Sequence, residues 1–263
     1  MTVGINAKDK TPNSYKLTDK QEQVYKVLLC PIVSDLSVSR SLYKNGDTVY
    51  SGQTYRTKSG QTADPDMSGF AVGFYKIVYK ELLEELLDES GFLLNCSFAG
   101  DTMNSFNSIA NITPGAGKSK KARTPEHLWS NELRDYKHQY HCLANFWLIP
   151  MCIGRTSMKL NHFDSMDVFL DSLKVDYATT LKTYRDYLDK INSFDSFIKT
   201  HFLDAYIPTK QIKYCEENAY RLIEQATDRI KQRAEDLAKS EYSDELWEYF
   251  DKHRVMQQNS ILM

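Results

Sequence analysis

The chain lacks the marks of several specialised protein classes. Its five cysteines, Cys30, Cys96, Cys142, Cys152 and Cys215, are odd in number, scattered, and include no C-x-x-C pair. That pattern argues against a disulfide framework and for reduced thiols in a cytoplasmic protein. No long apolar run is present: the longest, Phe146 to Ile153, spans eight residues and contains Pro150. A membrane helix needs about 20, so no span is expected, and the polar stretch Met1 to Lys20 has no apolar centre for a signal peptide. Charge of one sign is missing as well. Lys plus Arg at 33 against Asp plus Glu at 35 leaves a net charge of -2, so any binding to nucleic acid must use a local patch.

What is present describes a globular protein. With 263 residues, 41% hydrophobic and 12% aromatic, the chain can bury one sizeable core. Residues 1–16 carry no periodic apolar positions and read as a flexible arm. Residues 17–208 read as a helical core domain, and 209–263 as a C-terminal helical segment packing on the core or on a partner. Thr18 to Gln21 is a capping-box pattern ahead of Val24, Val27 and Leu28 at helical spacing. Asn45-Gly46 and Ser51-Gly52 punctuate short β-prone runs, which predicts a small β-hairpin over about 47–57. A long helix follows from near Met67 to Ser90, with Phe70, Phe74, Ile77, Leu82 and Leu83 on one face and Gly91 beyond its end.

Beyond residue 160 helical periods dominate. Met166, Phe169, Leu170 and Leu173 fit one helix, Leu181 to Leu188 a second, and Ile191, Phe194, Phe197 and Ile198 a third. From Gln211 to Lys239, Cys215, Ala219, Leu222, Ala226, Ile230, Ala234 and Leu237 recur every three or four residues as a narrow apolar seam. Such a seam packs on a neighbouring helix of the same domain or on a second chain. Leu246, Trp247 and Phe250 mark a last helix. The predicted fold is therefore mainly α, a multi-helix single domain with a small β-hairpin in its N-terminal third and a long C-terminal helix.

The sharpest chemical feature lies between Pro125 and Ile149. Read as one helix at about 100° per residue, Trp129, Leu133, Tyr136, Tyr140, Leu143, Ala144 and Trp147 form a core face. His127, Arg134, His138, His141 and Asn145 form the opposite stripe, where a surface helix would carry Lys and Glu. Three readings are open: a solvated or partner-facing stripe, a satisfied polar network, or metal and acid–base work by imidazoles.

Two loops add charge and polarity. Gly115-Ala116-Gly117-Lys118-Ser119 resembles the end of a phosphate-binding loop, but Ile112 stands where that motif has glycine, and a basic polar run replaces its helix. Lys118, Lys120, Lys121 and Arg123 remain as a patch that suits a phosphate backbone. Upstream, Asp101 reads as an N-cap, with Thr102, Asn104 and Ser105 crowded into the first turn as a polar, anion-favouring pocket.

Three blocks then carry a resemblance: Ala99-Gly100-Asp101-Thr102-Met103-Asn104-Ser105-Phe106, Tyr140-His141-Cys142-Leu143-Ala144-Asn145-Phe146 with Pro150, and Lys159-Leu160-Asn161. Their order and spacing over about residues 95–205 resemble a family of uncharacterised bacterial proteins, with Ala144 and Lys159 departing from its glycine and serine. More faintly, the region resembles the HNH module that ends GmrSD-type modification-dependent nucleases. That likeness matches Glu126-His127, Leu143-Ala144-Asn145, Asn161 and His162 to the module's base, orienting segment and metal site. It implies catalysis by His127, His141 and Asn145, with a divalent Mg, Mn or Zn on His138, His141, Asn161 and His162. Substrate contacts would then fall to Asp101, Thr102, Asn104, Ser105, Lys118, Lys120, Lys121, Arg123 and Arg134. The module puts its base on a β-strand, whereas Thr124 and Pro125 open a helix here. Two functions follow as expectations. One is a metal-dependent phosphodiester hydrolase of a mobile-element or defence setting, acting on nucleic acid held by residues 118–123. The other is a non-catalytic protein docking a protein partner, or a second copy, through the 211–239 helix or the histidine face.

Overall fold

The computed structural model describes residues 16–33, 50–51, 65–67, 69–83, 98–116, 124–150, 166–177, 189–207 and 212–261. Among these the fold is mainly helical, and strand pairing is confined to two two-stranded sheets. Helix α1 (Asp19–Leu28) begins as its sequence dictates. Thr18 Oγ1 accepts from the Gln21 amide at 3.3 Å, Gln21 Oε1 accepts from the Thr18 amide at 3.0 Å, and Val24 and Leu28 are buried. Strand β1 (Ile32–Val33) pairs in parallel with β2 (Tyr50–Ser51). Tyr50 and Ser51 are the part of the expected hairpin on view, and their partner is upstream chain; the rest of that expectation lies outside the described residues.

A 3-10 turn at Pro65–Met67 leads into α2 (Gly69–Val78) and the short α3 (Lys80–Leu83). The helix expected to run from Met67 is thus broken at Tyr79, and its portion beyond Leu83 lies outside the described residues. Next come β3 (Phe98–Thr102), α4 (Phe106–Ile112), a 3-10 turn at Glu126–Leu128, α5 (Asn131–Gln139), a 3-10 turn at Leu143–Asn145, and β4 (Phe146–Pro150). Strands β3 and β4 run antiparallel, with Thr102 opposite Phe146 and Phe98 opposite Pro150.

The single helix expected over 125–149 is therefore corrected to turn, helix, turn and strand. Most of the burial it predicted stands: Trp129, Leu133, Tyr136, Leu143, Ala144 and Trp147 are buried, whereas Tyr140 is half-buried and Asn145, expected on the opposite face, is buried as well. Phe146, Trp147, Leu148 and Ile149 are each 0% exposed. A strand covered on both faces carries such an unbroken apolar run, and periodicity alone does not separate it from a buried helix.

The described C-terminal residues form α6 (Met166–Val175), α7 (Phe194–Thr200), α8 (Ala219–Lys239) and α9 (Ser243–Ile261), as their spacing predicts, and the helix expected over Leu181 to Leu188 lies outside the described residues. Helix α8 is the spine of the domain. Leu222, Ile223, Ala226, Ile230, Ala234 and Leu237 are buried, and α8 packs against α1, α4, α5 and the 143–145 turn. This corrects the expectation that the 211–239 seam docks a partner or a second copy: the domain itself covers it. One apolar cluster runs from Val24 in α1 through Trp147 in β4 and Ile230 in α8 to Phe250 in α9. No helix among the described residues is long and apolar enough to cross a membrane.

Candidate functional site

The fold brings the first two sequence blocks together side chain to side chain. Asn145, 0% exposed, accepts on Oδ1 from the Asn104 amide at 3.0 Å and from Asn104 Nδ2 at 2.9 Å. Its Nδ2 donates to the Asn104 carbonyl at 3.1 Å and to the Tyr140 carbonyl at 2.7 Å. Both lone pairs and both protons of this amide are thereby used. Asn104 Nδ2 also donates to the Tyr206 hydroxyl at 2.6 Å, and the Tyr136 hydroxyl donates to the Asn104 carbonyl at 2.9 Å. Four parts of the chain are thus tied by one closed polar network, with no atom of Asn145 left for a reacting group. Toward His141 its only hold is on backbone, the carbonyl of Tyr140 just before it.

Asp101 is not the N-cap. It lies in β3, where its Oδ1 accepts from the Thr102 amide at 2.7 Å, and Ser105 occupies the cap position of α4 with no side-chain capping bond. Two bend residues, Met103 and Asn104, separate β3 from the helix, and Asn104 meets Asn145 there. Thr102 Oγ1 donates to Asp66 Oδ2 at 3.3 Å, and the Tyr75 hydroxyl donates to the Asp66 carbonyl at 2.8 Å. The 65–67 turn lies so close to β3 that a Cβ on Gly100 would sit 2.1 Å from the Asp66 carbonyl oxygen. Burial, reinforced by Asp66, holds the Tyr75 phenol well above the usual range. The expected anion pocket is thus a strand junction.

A second buried polar centre was not anticipated. Arg233 is 0% exposed and its guanidinium donates to four carbonyls: His201 at 2.8 Å, Ala144 at 2.8 Å, Phe146 at 2.9 Å and Leu143 at 3.4 Å. It also donates to the Tyr79 hydroxyl at 3.3 Å. That hydroxyl lies 3.0 Å from His201 Nδ1, and the His201 ring is walled by Trp147 and Phe197. Burial first, then the Arg233 charge, pushes the His201 imidazole well below its usual range. Nearby, Arg229 pairs with Asp167 at 2.7 Å, both side chains 6% exposed, and its guanidinium covers the Tyr206 ring at 4.7 Å. The sequence did contain a signal for these arginines. At about 100° per residue, Arg229 and Arg233 fall about 20° to either side of Leu222, at one edge of the apolar seam, where a side chain meets the core and solvated arginine has no place.

The histidines disperse. His127 is exposed on the 126–128 turn, and Glu126 pairs there with Lys137, so the base expected on a strand is on a surface turn. His138 is half-exposed on α5, and Arg134 donates to Asn131 within the same helix. His141 is half-buried, its ring 3.8 Å from Tyr140 and 6.1 Å from Phe146, and its carbonyl accepts from the Ile32 amide at 2.7 Å. Lys118, Lys120, Lys121, Arg123, Asn161 and His162 lie outside the described residues. Among the described residues no three His, Cys, Asp or Glu side chains converge as a metal site. Of the donors expected for Mg, Mn or Zn, His138 and His141 are among the described residues, and Asn161 and His162 are not.

The base of the basic segment is nevertheless placed. The Thr124 amide donates to the Gly115 carbonyl at 2.7 Å, so the chain leaves and returns at one point. Gly115 takes φ +74°, and a Cβ there would meet Thr124 Oγ1 at 2.4 Å, which is why this junction needs glycine. Trp129 Nε1 donates to the Thr124 carbonyl at 2.9 Å, fixing the junction against the core. Just beyond it Leu128 is 63% exposed. Compared with protein-family models, with curated proteins and with solved structures, the chain matches none.

Proposed function

We propose that this chain is a non-catalytic binding protein that docks a protein partner through the 126–128 turn and the outward side of α5. The observation that carries this reading is Leu128, a large apolar side chain 63% exposed beside the pinned base of a basic segment. Between residues 118 and 138 six Lys and Arg stand against three Asp and Glu, on a chain whose net charge is -2. An apolar centre with a cationic rim suits an acidic protein surface. The apolar contact supplies affinity, and the rim, with Lys118, Lys120, Lys121, Arg123 and Arg134, supplies encounter rate and orientation. His127 and His138 lie on the same surface. Asn145, which a hydrolase would turn toward its reacting centre, spends its amide inside the fold.

A photo-crosslinking residue placed at position 128 in producing cells tests the reading. A discrete adduct is expected, absent from the same residue at Val175, an exposed position on α6, and weakened when Lys118, Lys120, Lys121 and Arg123 are reversed to Glu. Absence of any adduct, together with Mg²⁺-, Mn²⁺- or Zn²⁺-dependent cleavage of nucleic acid that His141→Ala abolishes, would replace it by the hydrolase reading.

A further inference from the structure

His201 sits where three separate stretches of chain meet. Tyr79 faces it from the α2–α3 junction and Arg233 from α8, while the rings of Trp147 in β4 and Phe197 in α7 close around it. The direction of the hydrogen bonds determines its protonation. The Tyr79 hydroxyl accepts from Arg233 Nη2 at 3.3 Å. A guanidinium can only donate, so the hydroxyl proton turns to the other partner of this oxygen, His201 Nδ1 at 3.0 Å. His201 is therefore the neutral Nε2–H tautomer. A proton on Nδ1 would point at the Tyr79 hydroxyl proton, next to a guanidinium, in a site with 0% exposure.

We propose that His201, Tyr79 and Arg233 form an acid-operated lock, in which proton uptake at His201 Nδ1 releases the grip of α8 on the 143–146 turn. The proton comes from solvent and forms the N–H bond. The Tyr79 O–H···N hydrogen bond is lost, and the hydroxyl can turn its proton away from Nδ1 only by disturbing its bond from Arg233. Arg233 is the same group that holds the His201, Ala144 and Phe146 carbonyls. Loosening it therefore frees the turn that carries Asn145 and adjoins His141. The docking reading is not needed for this inference, because the readout is the fold and not a partner.

The sign follows from linkage. The folded chain disfavours the charged imidazole, so the unfolded chain binds the extra proton. Stability from this group is complete above the unfolded pKa of about 6.5 and is lost as pH falls below it, down to the folded value. His201→Asn keeps an acceptor for Tyr79 and cannot titrate. Denaturant unfolding of wild type between pH 6 and 5 should steepen by about tenfold in the unfolding constant per pH unit relative to this variant. Exchange of the Asn145 and Leu148 amides, corrected for intrinsic rate, should accelerate with acid in wild type only. Identical pH slopes and identical exchange in the two proteins would overturn the lock. Should His201→Asn fail to fold, wild type decides alone: an unprotonated Nδ1 by imidazole nitrogen NMR in the folded chain to pH 5, together with acid-accelerated exchange of the Asn145 and Leu148 amides, supports the lock, and titration near 6.5 with the fold intact, or exchange that does not respond to acid, overturns it.

Discussion

Replacing Arg233 by Met tests whether the buried guanidinium is structural. Met fills much of the same space without charge. Three carbonyls, of His201, Ala144 and Phe146, lose bonds of 2.8, 2.8 and 2.9 Å, whereas the Leu143 carbonyl keeps the Phe146 amide. A stranded buried acceptor costs about 1–3 kcal/mol, and the low end applies to carbonyls with a second lone pair, giving about 3–4 kcal/mol gross. Relief of guanidinium desolvation offsets part of this, leaving about 3 kcal/mol. At roughly 2–4 °C per kcal/mol for a domain of this size, Tm should fall by about 6–12 °C. Urea unfolding at pH 7, with Tm followed in parallel, measures both. Arg233→Lys should lose nearly as much, since one ammonium cannot reach acceptors spread around a planar fork. A midpoint within about 0.5 kcal/mol of wild type, or a stabilised Met variant, would refute the reasoning: it would place Arg233 among buried ionic groups that apolar residues replace at no cost.

Asn145→Ala removes four hydrogen bonds inside the core and leaves the Tyr140 and Asn104 groups short of partners, so it should cost about 2–3 kcal/mol; a Tm equal to wild type would contradict the closed network. Ile230→Asp puts a charge on the covered face of α8, and the isolated chain should unfold; a folded protein whose scattering mass halves would instead assign the seam to a dimer. Burial, then Asp204 and Glu235, hold the half-buried Asp236 carboxyl above the usual range. The ionised form is thus disfavoured on folding, so Asp236→Asn should stabilise at pH 7 by less than about 1 kcal/mol after solvent screening. That advantage should shrink as pH falls toward the unfolded value of about 3.9, and an advantage growing with acid would sink the assignment.

Local patterning was enough for much of the helical framework. Thr18 and Gln21 form a capping box because every partner lies within four residues. Met166, Phe169, Leu170 and Leu173 turn inward on α6, and Leu222 to Leu237 on α8, because helical spacing records which side of an element meets the core. Even in the 125–149 stretch the buried residues were legible, although the backbone was not. Periodicity reports burial, and Phe146 to Ile149, enclosed on both faces of a strand, show the apolar content of a buried helix.

What the tertiary structure alone decided is the role of each polar residue. Asn145 reads as a site residue until Asn104, 41 positions away, occupies both ends of its amide. Tyr79 meets His201 across 122 positions and Arg233 across 154, distances over which no local pattern carries information. The one local signal for Arg229 and Arg233 is their place beside Leu222 at the edge of the apolar seam, and it says nothing of their partners. A side chain's chemistry depends on which donors, acceptors and charges the fold sets against it, and for Asn145, His201 and Arg233 those come from distant chain. The sequence therefore determined which apolar residues are buried and most of the helices; the packing of α8 on the 143–145 turn and the start of β4 decided which polar groups hold the core.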